Sequence, residues 1–307
     1  MSDLVVPIAV ATIGAGTPLV FAALGELVTE KSGVLNLGVD GMMLVGAVAA
    51  FAVTVATGNE WLGIGASMLA GGAMALLFCA FTLTLLANQV ASGLALSIFG
   101  AGLSAFAGRS FQTVTLTSPP PLHVPLLGDI PLVGPILFSQ QALVYCSWAL
   151  LALVSWFLYK TRAGLVLRAV GESPASAHAI GYHVIPIRYL AAIFGGAMAG
   201  LGGAYLSLIY TPTWVENMTA GRGWIALGLV VFATWRPVRV LLGAYLFGGV
   251  TIAQLFAQGA GVAVPSQFLS ALPYLATIVV LAAISRNPNT IRLNAPVSLG
   301  LSYHPDG

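Results

Sequence analysis

Charged side chains are scarce in this sequence. Asp, Glu, Lys and Arg make up 7% of the 307 residues, and 58% of the residues are hydrophobic, whereas about 25% charged residues is usual for a soluble domain. Such a chain cannot cover itself with a water-facing surface, so we interpret it as an integral membrane protein. A net charge of +2, with no basic run interleaved with aromatic residues, gives no indication of nucleic-acid binding.

Catalytic and metal-binding motifs are also missing. The sequence has no G-x-x-x-x-G-K-[ST] phosphate loop and no G-x-S-x-G elbow, and its four histidines have no metal-ligand spacing. Cys79 and Cys146 both fall in apolar segments, where a thiol behaves as a small hydrophobic group, so we expect no disulfide, metal or cofactor. The N-terminus lacks the basic region of a signal peptide, and we expect it to be retained. Transport or sensing is therefore favoured over an enzymatic reaction.

Hydrophobic runs dominate what is present. Because about 20 apolar residues cross a bilayer, the pattern predicts an all-α, polytopic membrane bundle of about nine segments, some of them short or broken. The segments are Leu4–Leu24, Val34–Thr57, Leu62–Ala87, Val90–Ala107, Phe138–Tyr159, Tyr189–Tyr210, Trp224–Trp235, Val238–Ala257 and Phe268–Ser285.

The longest polar interruption is Lys160–Arg188, with four basic residues and one acid. Ser173 followed by Pro174 is a helix-start signal, because serine caps free N–H groups and proline fits the first helical position. Glu172 would lie at the positive end of the helix dipole, and Gly181 would end the helix. This predicts a short helix at Pro174–Ile180, about 10 Å long, outside the membrane.

Short loops rich in Lys and Arg stay in the cytoplasm, and this rule sets the orientation. With residues 160–188 inside, alternation also places Lys31, Arg236, Arg239, Arg286 and Arg292 inside and leaves only Arg109 and Arg222 outside. The N-terminus is then outside and the tail, residues 286–307, is cytoplasmic. The loop at residues 108–136, with six prolines, is extracytoplasmic; it either docks a partner or only bridges two helices.

Two segments are predicted to be irregular at membrane depth, where unpaired backbone is tolerated only inside protein or along a cavity. In Ser32–Met43, three glycines weaken the helix, and Asn36 and Asp40 are expected to share one face. Trp224–Trp235 is too short to span comfortably. Such broken helices mark the substrate path in transporters; alternatively, Asp40 is an interfacial residue that is solvated or paired with Lys31.

Glycines in Tyr189–Tyr210 include the spacing Gly196-x-x-x-Gly200, which favours close helix packing. We interpret this glycine content as structural.

Four motifs, in the same order along nearly the whole chain, resemble the permease subunit of bacterial ABC importers. They are GELVTEKSGVLNLGVDGMMLVGA (25–47), NQVASGLALSIFGAGLSAFAGR (88–109), RAVGESPASAHAIGYHV (168–184) and GRGWIALGLVVFATWRPVRVLLGAYLFG (221–248). The broad group serves ribose, branched-chain amino acids and related nutrients. The first and last motifs are specific to the branch that works with basic-membrane-protein-type binding proteins and imports nucleosides, and within it the chain is similar to the shorter of two paired permeases.

The resemblance implies one transmembrane permease domain over residues 1–307, of the inverted-repeat type, in the bacterial inner membrane. It also implies an ATP-binding partner subunit, a second and longer permease, and an extracytoplasmic substrate-binding protein. The residues that match the family's ATPase-coupling helix are Arg168, Gly171, Glu172, Ser173, Pro174, Ala175, Ala177 and Gly181. We expect the alanines 175, 177 and 179 to form the small face that meets the ATPase.

Nucleosides are neutral and rich in hydrogen-bonding groups, so their path should offer amides and a carboxylate. The candidates in this sequence are Asn36, Asp40, Asn88, Gln89, Glu216 and Asn217. Riboflavin, a simple sugar or another small nutrient stays open as the cargo. An ion-coupled secondary transporter would need more embedded charges than Asp40, and a non-transporting membrane scaffold would not need broken helices.

Overall fold

The computed structural model describes residues 2–259 and 294–304, with isolated positions at 268, 271–272, 275–276, 278–279 and 282. Over these residues the regular secondary structure is helical, apart from one two-stranded ribbon and an isolated bridge between Thr115 and Thr213. The α-helices are α1 (Ser2–Lys31), α2 (Val39–Thr57), α3 (Glu60–Cys79), α4 (Gln89–Gly108), α5 (Ala142–Lys160), α6 (Arg162–Glu172), α7 (Pro174–Ala179), α8 (Val184–Tyr205), α9 (Arg222–Phe232) and α10 (Pro237–Gly259). Seven helices among the described residues are long and apolar enough to cross a membrane, which confirms the predicted polytopic helical bundle.

Eight of the nine predicted apolar segments correspond to these helices, but some helices end at residues other than those predicted. The first segment was predicted to stop at Leu24, but α1 continues to Lys31, because its polar residues find partners inside the protein. α3 and α8 each finish in a π-helical turn, at Ala80–Thr84 and Leu206–Tyr210. The ninth segment, Phe268–Ser285, and most of the tail lie outside the described residues.

The polar interruption was predicted as a loop with one short helix, and that was incomplete. The structure has two helices there, α6 and α7, and α8 already begins at Val184. Thr161 starts α6, since its Oγ1 accepts a hydrogen bond from Gly164 N at 3.0 Å. Arg188 is therefore a residue of α8, and only 1% of its surface is exposed.

Helix α8 is the centre of the bundle and packs against α1, α2 and α3. Its glycines allow backbone-to-backbone contact: a Cβ added at Gly25 of α1 would lie 2.9 Å from the carbonyl oxygen of Gly195. A Cβ at Gly71 of α3 would overlap the carbonyl oxygen of Gly196, and one at Gly46 of α2 would overlap Gly200. The structural role predicted for the Gly196–Gly200 spacing is confirmed.

The loop at residues 108–136 is tied to the bundle. Leu116 N donates to Pro212 O at 2.9 Å, and Ser118 Oγ donates to Ile209 O at 3.2 Å. Further along, the strands β1 (Leu122–His123) and β2 (Ser139–Gln140) pair in antiparallel fashion just before α5. The loop therefore covers the end of α8; its docking of a partner stays a prediction.

Candidate functional site

The chain leaves helical geometry between α1 and α2, at residues 32–38, which we call the break. Five of these seven residues are buried, so their backbone groups need partners within the protein. Leu35 N donates to Gln89 Oε1 at 2.8 Å, and Asn36 N donates to Glu26 Oε1 at 3.1 Å. Side chains from α4 and α1 thus stabilise the irregular backbone that the sequence predicted here.

Asn36 lies within the break, and its side chain bonds the backbone just before α2. Its Oδ1 accepts a hydrogen bond from Gly38 N at 2.9 Å, and its Nδ2 lies 3.4 Å from Met42 Sδ, with the whole residue buried. Because Asn36 precedes α2, the expectation that it shares a helical face with Asp40 is wrong. No local pattern marks Val39 as the first residue of α2.

Asp40 joins the two segments that were predicted to be broken. Its Oδ1 accepts from Gly223 N at 2.9 Å, and its Oδ2 accepts from Thr219 Oγ1 at 3.3 Å. Helix α9 starts after Gly221, which has no side chain to cap the helix. The Asp40 carboxylate of α2 therefore accepts a hydrogen bond from an N–H group in the first turn of α9 and complements the helix dipole. A Cβ at Gly223 would overlap the backbone of Asp40, so glycine is needed for this close approach.

This geometry corrects the alternative account of Asp40. The side chain is buried, with 8% of its surface exposed, and is therefore not solvated. Lys31 does not pair with it; Lys31 Nζ donates to Asn294 O at 2.7 Å.

A second polar group lies at the end of α1, where Glu26 and Glu30 are one helical turn apart and both buried. Glu30 Oε2 accepts from Trp235 Nε1 at 2.6 Å, which ties the chain after α9 to α1. Among the described residues, Glu26 Oε2 and Gln89 Nε2 have no hydrogen-bond partner. A carboxylate oxygen and an amide N–H therefore retain bonding capacity beside the break.

Arg188 connects the break to the C-terminal segment, residues 294–304. Its guanidinium donates to Ser32 O at 3.1 Å, to Ser298 Oγ at 3.0 Å and to Leu301 O at 3.2 Å. Gly300 N also donates to Gly33 O at 3.1 Å. A buried cation with each of its three nitrogens bonded to an oxygen atom holds three distant parts of the chain together.

The predicted helix at the centre of the polar interruption is present as α7, ending at Ala179 rather than Ile180. Ser173 Oγ accepts from Ser176 N at 3.3 Å, Pro174 is the first helical residue, and Gly181 has a φ of +96°. The start and stop signals read from the sequence are therefore confirmed.

The expected small face of α7 is wrong for one of its three alanines. Ala177 is buried in the protein's own core, packed with Val170 and Val184, because a residue two positions along a helix points to the opposite side. Ala175 and Ala179 are exposed and share the other side.

Other residues matched to the coupling motif hold this region in place. The Gly171 carbonyl accepts from Ser298 N at 3.1 Å and from Ser298 Oγ at 2.6 Å. The Arg168 guanidinium lies over the Tyr159 ring, 5.3 Å from its centroid, whereas Glu172 is exposed.

The remaining path candidates lie apart from the break. Asn88 is exposed and caps α4, where its Oδ1 accepts from Ala91 N at 3.0 Å. Glu216 and Asn217 are exposed in the segment between α8 and α9. Of the six candidates, Asn36, Asp40 and Gln89 thus contact the break or the start of α9.

A cavity of about 460 Å³ lies at the turn between α2 and α3, with Thr54, Asn59 and Glu60 in its walls. Thr54 is fifteen residues along α2 from Val39, about 22 Å at 1.5 Å per residue. The cavity is therefore at the opposite end of α2 from the break.

Comparison with known proteins identifies the family of this chain. A family model described as "Branched-chain amino acid transport system / permease component" matches residues 8–284. The chain belongs to this permease family. The permease is 43% identical to TsgC13 of Haloferax volcanii, provisionally named a glucose ABC transporter permease protein, over 96% of each chain. It is 32% identical to the guanosine ABC transporter permease protein NupQ of Bacillus subtilis over 95% of each chain. No solved structure matches it.

A nucleoside ABC transporter permease protein, NupC of Lactococcus lactis, is 33% identical over 87% of this permease and 88% of its own length. Haloferax volcanii and Bacillus subtilis each also have a longer relative. These are TsgB13 and NupP, at 25% and 26% identity, with 68% and 72% of their lengths matched.

Membership in this family defines the general role of the chain. It is a multi-pass plasma-membrane permease component of an ABC transport system, a transport subunit rather than an enzyme, and ATP hydrolysis belongs to a separate ATP-binding subunit. A substrate-binding protein is a further partner.

Sequence reasoning missed several residues of the permease that build the break. Glu26 and Glu30 were available as a signal, because two acids four residues apart directly follow an apolar run. The side-chain partners of Asp40 and Glu30 come from positions 179 to 205 residues away in the chain, and no local pattern reveals such pairs.

We expect the Asp40 carboxylate to be required for docking of α9. Asp40→Ala leaves Gly223 N and Thr219 Oγ1 buried without their acceptor, which costs about 1–3 kcal/mol for an unsatisfied group. Asp40→Asn keeps one oxygen that can accept from Gly223 N, so its effect should be smaller. The measurement is the thermal unfolding midpoint of the purified transporter complex. Glu216→Ala removes an exposed carboxylate and is the control; equal midpoints for Asp40→Ala and this control would contradict the assignment.

Proposed function

We propose that this chain is the permease subunit of an ABC importer for nucleosides, with residues 1–307 forming one transmembrane domain. The observation that carries the proposal is the near full-length similarity to two permeases named for guanosine and for nucleosides, from two different organisms. The sequence motifs of the nucleoside branch support the same conclusion.

Glucose, or another simple sugar, is the second candidate cargo. It is favoured by the 43% identity to TsgC13. Both kinds of molecule are neutral and rich in hydroxyl groups, so the polar atoms beside the break suit either one. Specificity in such importers is set largely by the substrate-binding protein.

The second half of the translocation path is proposed to come from a longer permease, so that the importer contains a heterodimer. Two pairs of relatives support this arrangement. Each of two organisms has one permease matched over 95–96% of its length and a second, longer one matched over 68–72%.

The path itself is proposed to pass the break. The unpartnered atoms Glu26 Oε2 and Gln89 Nε2 can bond hydroxyl or base-edge groups, and irregular backbone at membrane depth is typical of transport sites. Glu216 and Asn217 are exposed at the approach to α9 and are proposed to contribute at the outer entrance.

Coupling to the ATPase is proposed to run through α7, which faces the cytoplasm in the predicted orientation. Its exposed side, Ala175 and Ala179, meets the ATP-binding subunit, while Ala177 fixes the helix to α6 and α8. Because Tyr303 contacts His178 and the C-terminal segment reaches Arg188 and the break, a displacement of α7 is passed to the path through direct contacts. The displacement of α7 thereby drives alternating access of the path to the two sides of the membrane.

The cargo is tested by uptake of radiolabelled guanosine, cytidine and glucose into cells that express the complete transporter. We expect saturable uptake of the nucleosides, inhibited by unlabelled nucleoside and unaffected by glucose in excess. Uptake of glucose without uptake of nucleosides would assign the importer to sugars instead.

The path is tested with Gln89→Leu, which removes from the break both the free amide N–H and the oxygen that accepts from Leu35 N. The maximal uptake rate should fall by about tenfold or more, because the lost polar contact raises the barrier to transport by roughly 1.4 kcal/mol or more. The apparent affinity should change little, because the binding protein still captures cargo. Asn88→Ser, which keeps an α4 cap at the neighbouring exposed position, is the control. Wild-type uptake by Gln89→Leu at wild-type complex levels would remove Gln89 from the path.

Orientation and coupling share one test, in a background where the exposed Cys146 is replaced by Ser. A membrane-impermeant maleimide should label Ala175→Cys only in inverted vesicles, and more slowly when the ATP-binding subunit is assembled. Leu126→Cys, in the opposite loop and highly exposed, should be labelled in intact cells at a rate that the ATP-binding subunit does not change. Labelling of Ala175→Cys in intact cells would invert the topology, and an unchanged rate with the ATP-binding subunit present would remove α7 from that interface.

A further inference from the structure

A groove of about 560 Å³ opens on the outer surface of the bundle between α5, α6 and α8. Its walls are almost entirely apolar and include Leu153, Trp156, Val166, Leu190 and Phe194. Its volume falls within the range of about 300–1,000 Å³ that is common for ligand pockets. Leu190 is 70% exposed and Trp156 is 58% exposed, so the described residues do not fill the groove.

Basic side chains lie at one end of this groove. Lys160 is the last residue of α5, four positions after Trp156, and therefore extends from the same helical face. Arg162 begins α6, four positions before Val166, and likewise shares its face. Both cations are exposed, and among the described residues neither forms an ion pair. A third cation, Arg168, lies nearby over the Tyr159 ring.

Helix α6 fits a position at the membrane surface rather than in water. It is amphipathic, and its apolar residue Leu165 is 58% exposed, as expected for a helix that lies in the interface. Trp156 and Tyr159 at the end of α5 are aromatic residues of the kind enriched at this depth. The apolar groove thus extends into the bilayer from a pair of cations at the headgroup level.

We infer that this groove binds an anionic phospholipid of the bilayer, with one acyl chain between α5, α6 and α8 and the phosphate group at Lys160 and Arg162. A neutral apolar ligand would not account for the two cations at its mouth, and a soluble anion would not account for its apolar walls. The site is independent of the cargo and lies beside α6, the helix that leads directly into α7.

The inference is tested with the assembled transporter in nanodiscs that contain a trace of phosphatidylglycerol carrying a photoreactive acyl chain, compared with the matched phosphatidylcholine. After irradiation, peptide mass spectrometry maps the labelled residues. We expect the anionic lipid to label residues 153–157, 163–167 and 187–194 preferentially. Since one Lys or Arg near an anionic lipid surface contributes about 1 kcal/mol, or roughly fivefold, the double variant Lys160→Gln/Arg162→Gln should lose tenfold or more of this labelling.

Two further variants sharpen the test. Arg109→Gln removes an exposed cation far from the groove and should leave its labelling unchanged. Ala163→Trp fills the mouth of the groove from an exposed position and should reduce labelling by both lipids. Equal labelling by the two lipids, unchanged labelling in the double variant, or a cross-linked peptide of another subunit in place of lipid would each overturn the proposal. If the double variant does not assemble, the ratio of the two lipids on the unmodified transporter decides.

Discussion

A backbone that leaves helical geometry inside a membrane must have its N–H and C=O groups satisfied by protein, because the bilayer offers no water. Residues 32–38, five of which are buried, take such partners from other parts of the protein. Acceptors for its N–H groups come from Glu26 and Gln89, and donors to its carbonyl groups come from Arg188 and Gly300. The placement of α1, α4, α8 and the C-terminal segment follows from this requirement.

Close helix packing makes such an arrangement possible. The glycines of α8 bring its backbone against those of α1, α2 and α3, and at that separation a side chain such as Arg188 can reach across the bundle to carbonyl oxygens. Small residues therefore do more than stabilise the bundle. They bring the polar groups of separate helices within hydrogen-bonding distance.

The sequence predicted well what depends on neighbouring residues and poorly what depends on distant ones. The apolar segments, the start of α7 at Ser173 and Pro174, and the irregularity after Lys31 all arise from local composition. The other helix of the polar interruption, α6, was missed because it is amphipathic and has little net hydrophobicity.

The roles of individual polar residues were harder to predict. Asp40 was recognised as unusual, but its contact with Gly223 spans 183 positions, and its meaning appears only when α2 and α9 meet. Ala177 was placed on the wrong side of α7 because three alternate alanines look equivalent in a sequence, whereas a helix turns them to opposite faces.

The hydrogen bonds of Arg188 and Gly33 to residues 298–301 also bear on how the chain is made. The break lies at residues 32–38, whereas its partner Gly300 is translated much later, together with the Arg188 acceptors Ser298 and Leu301. Its first helices enter the membrane long before those partners exist. The break is thus completed long after its own residues are made, and a chain that stops short of Ser298 would hold a buried arginine with two of its three acceptors missing.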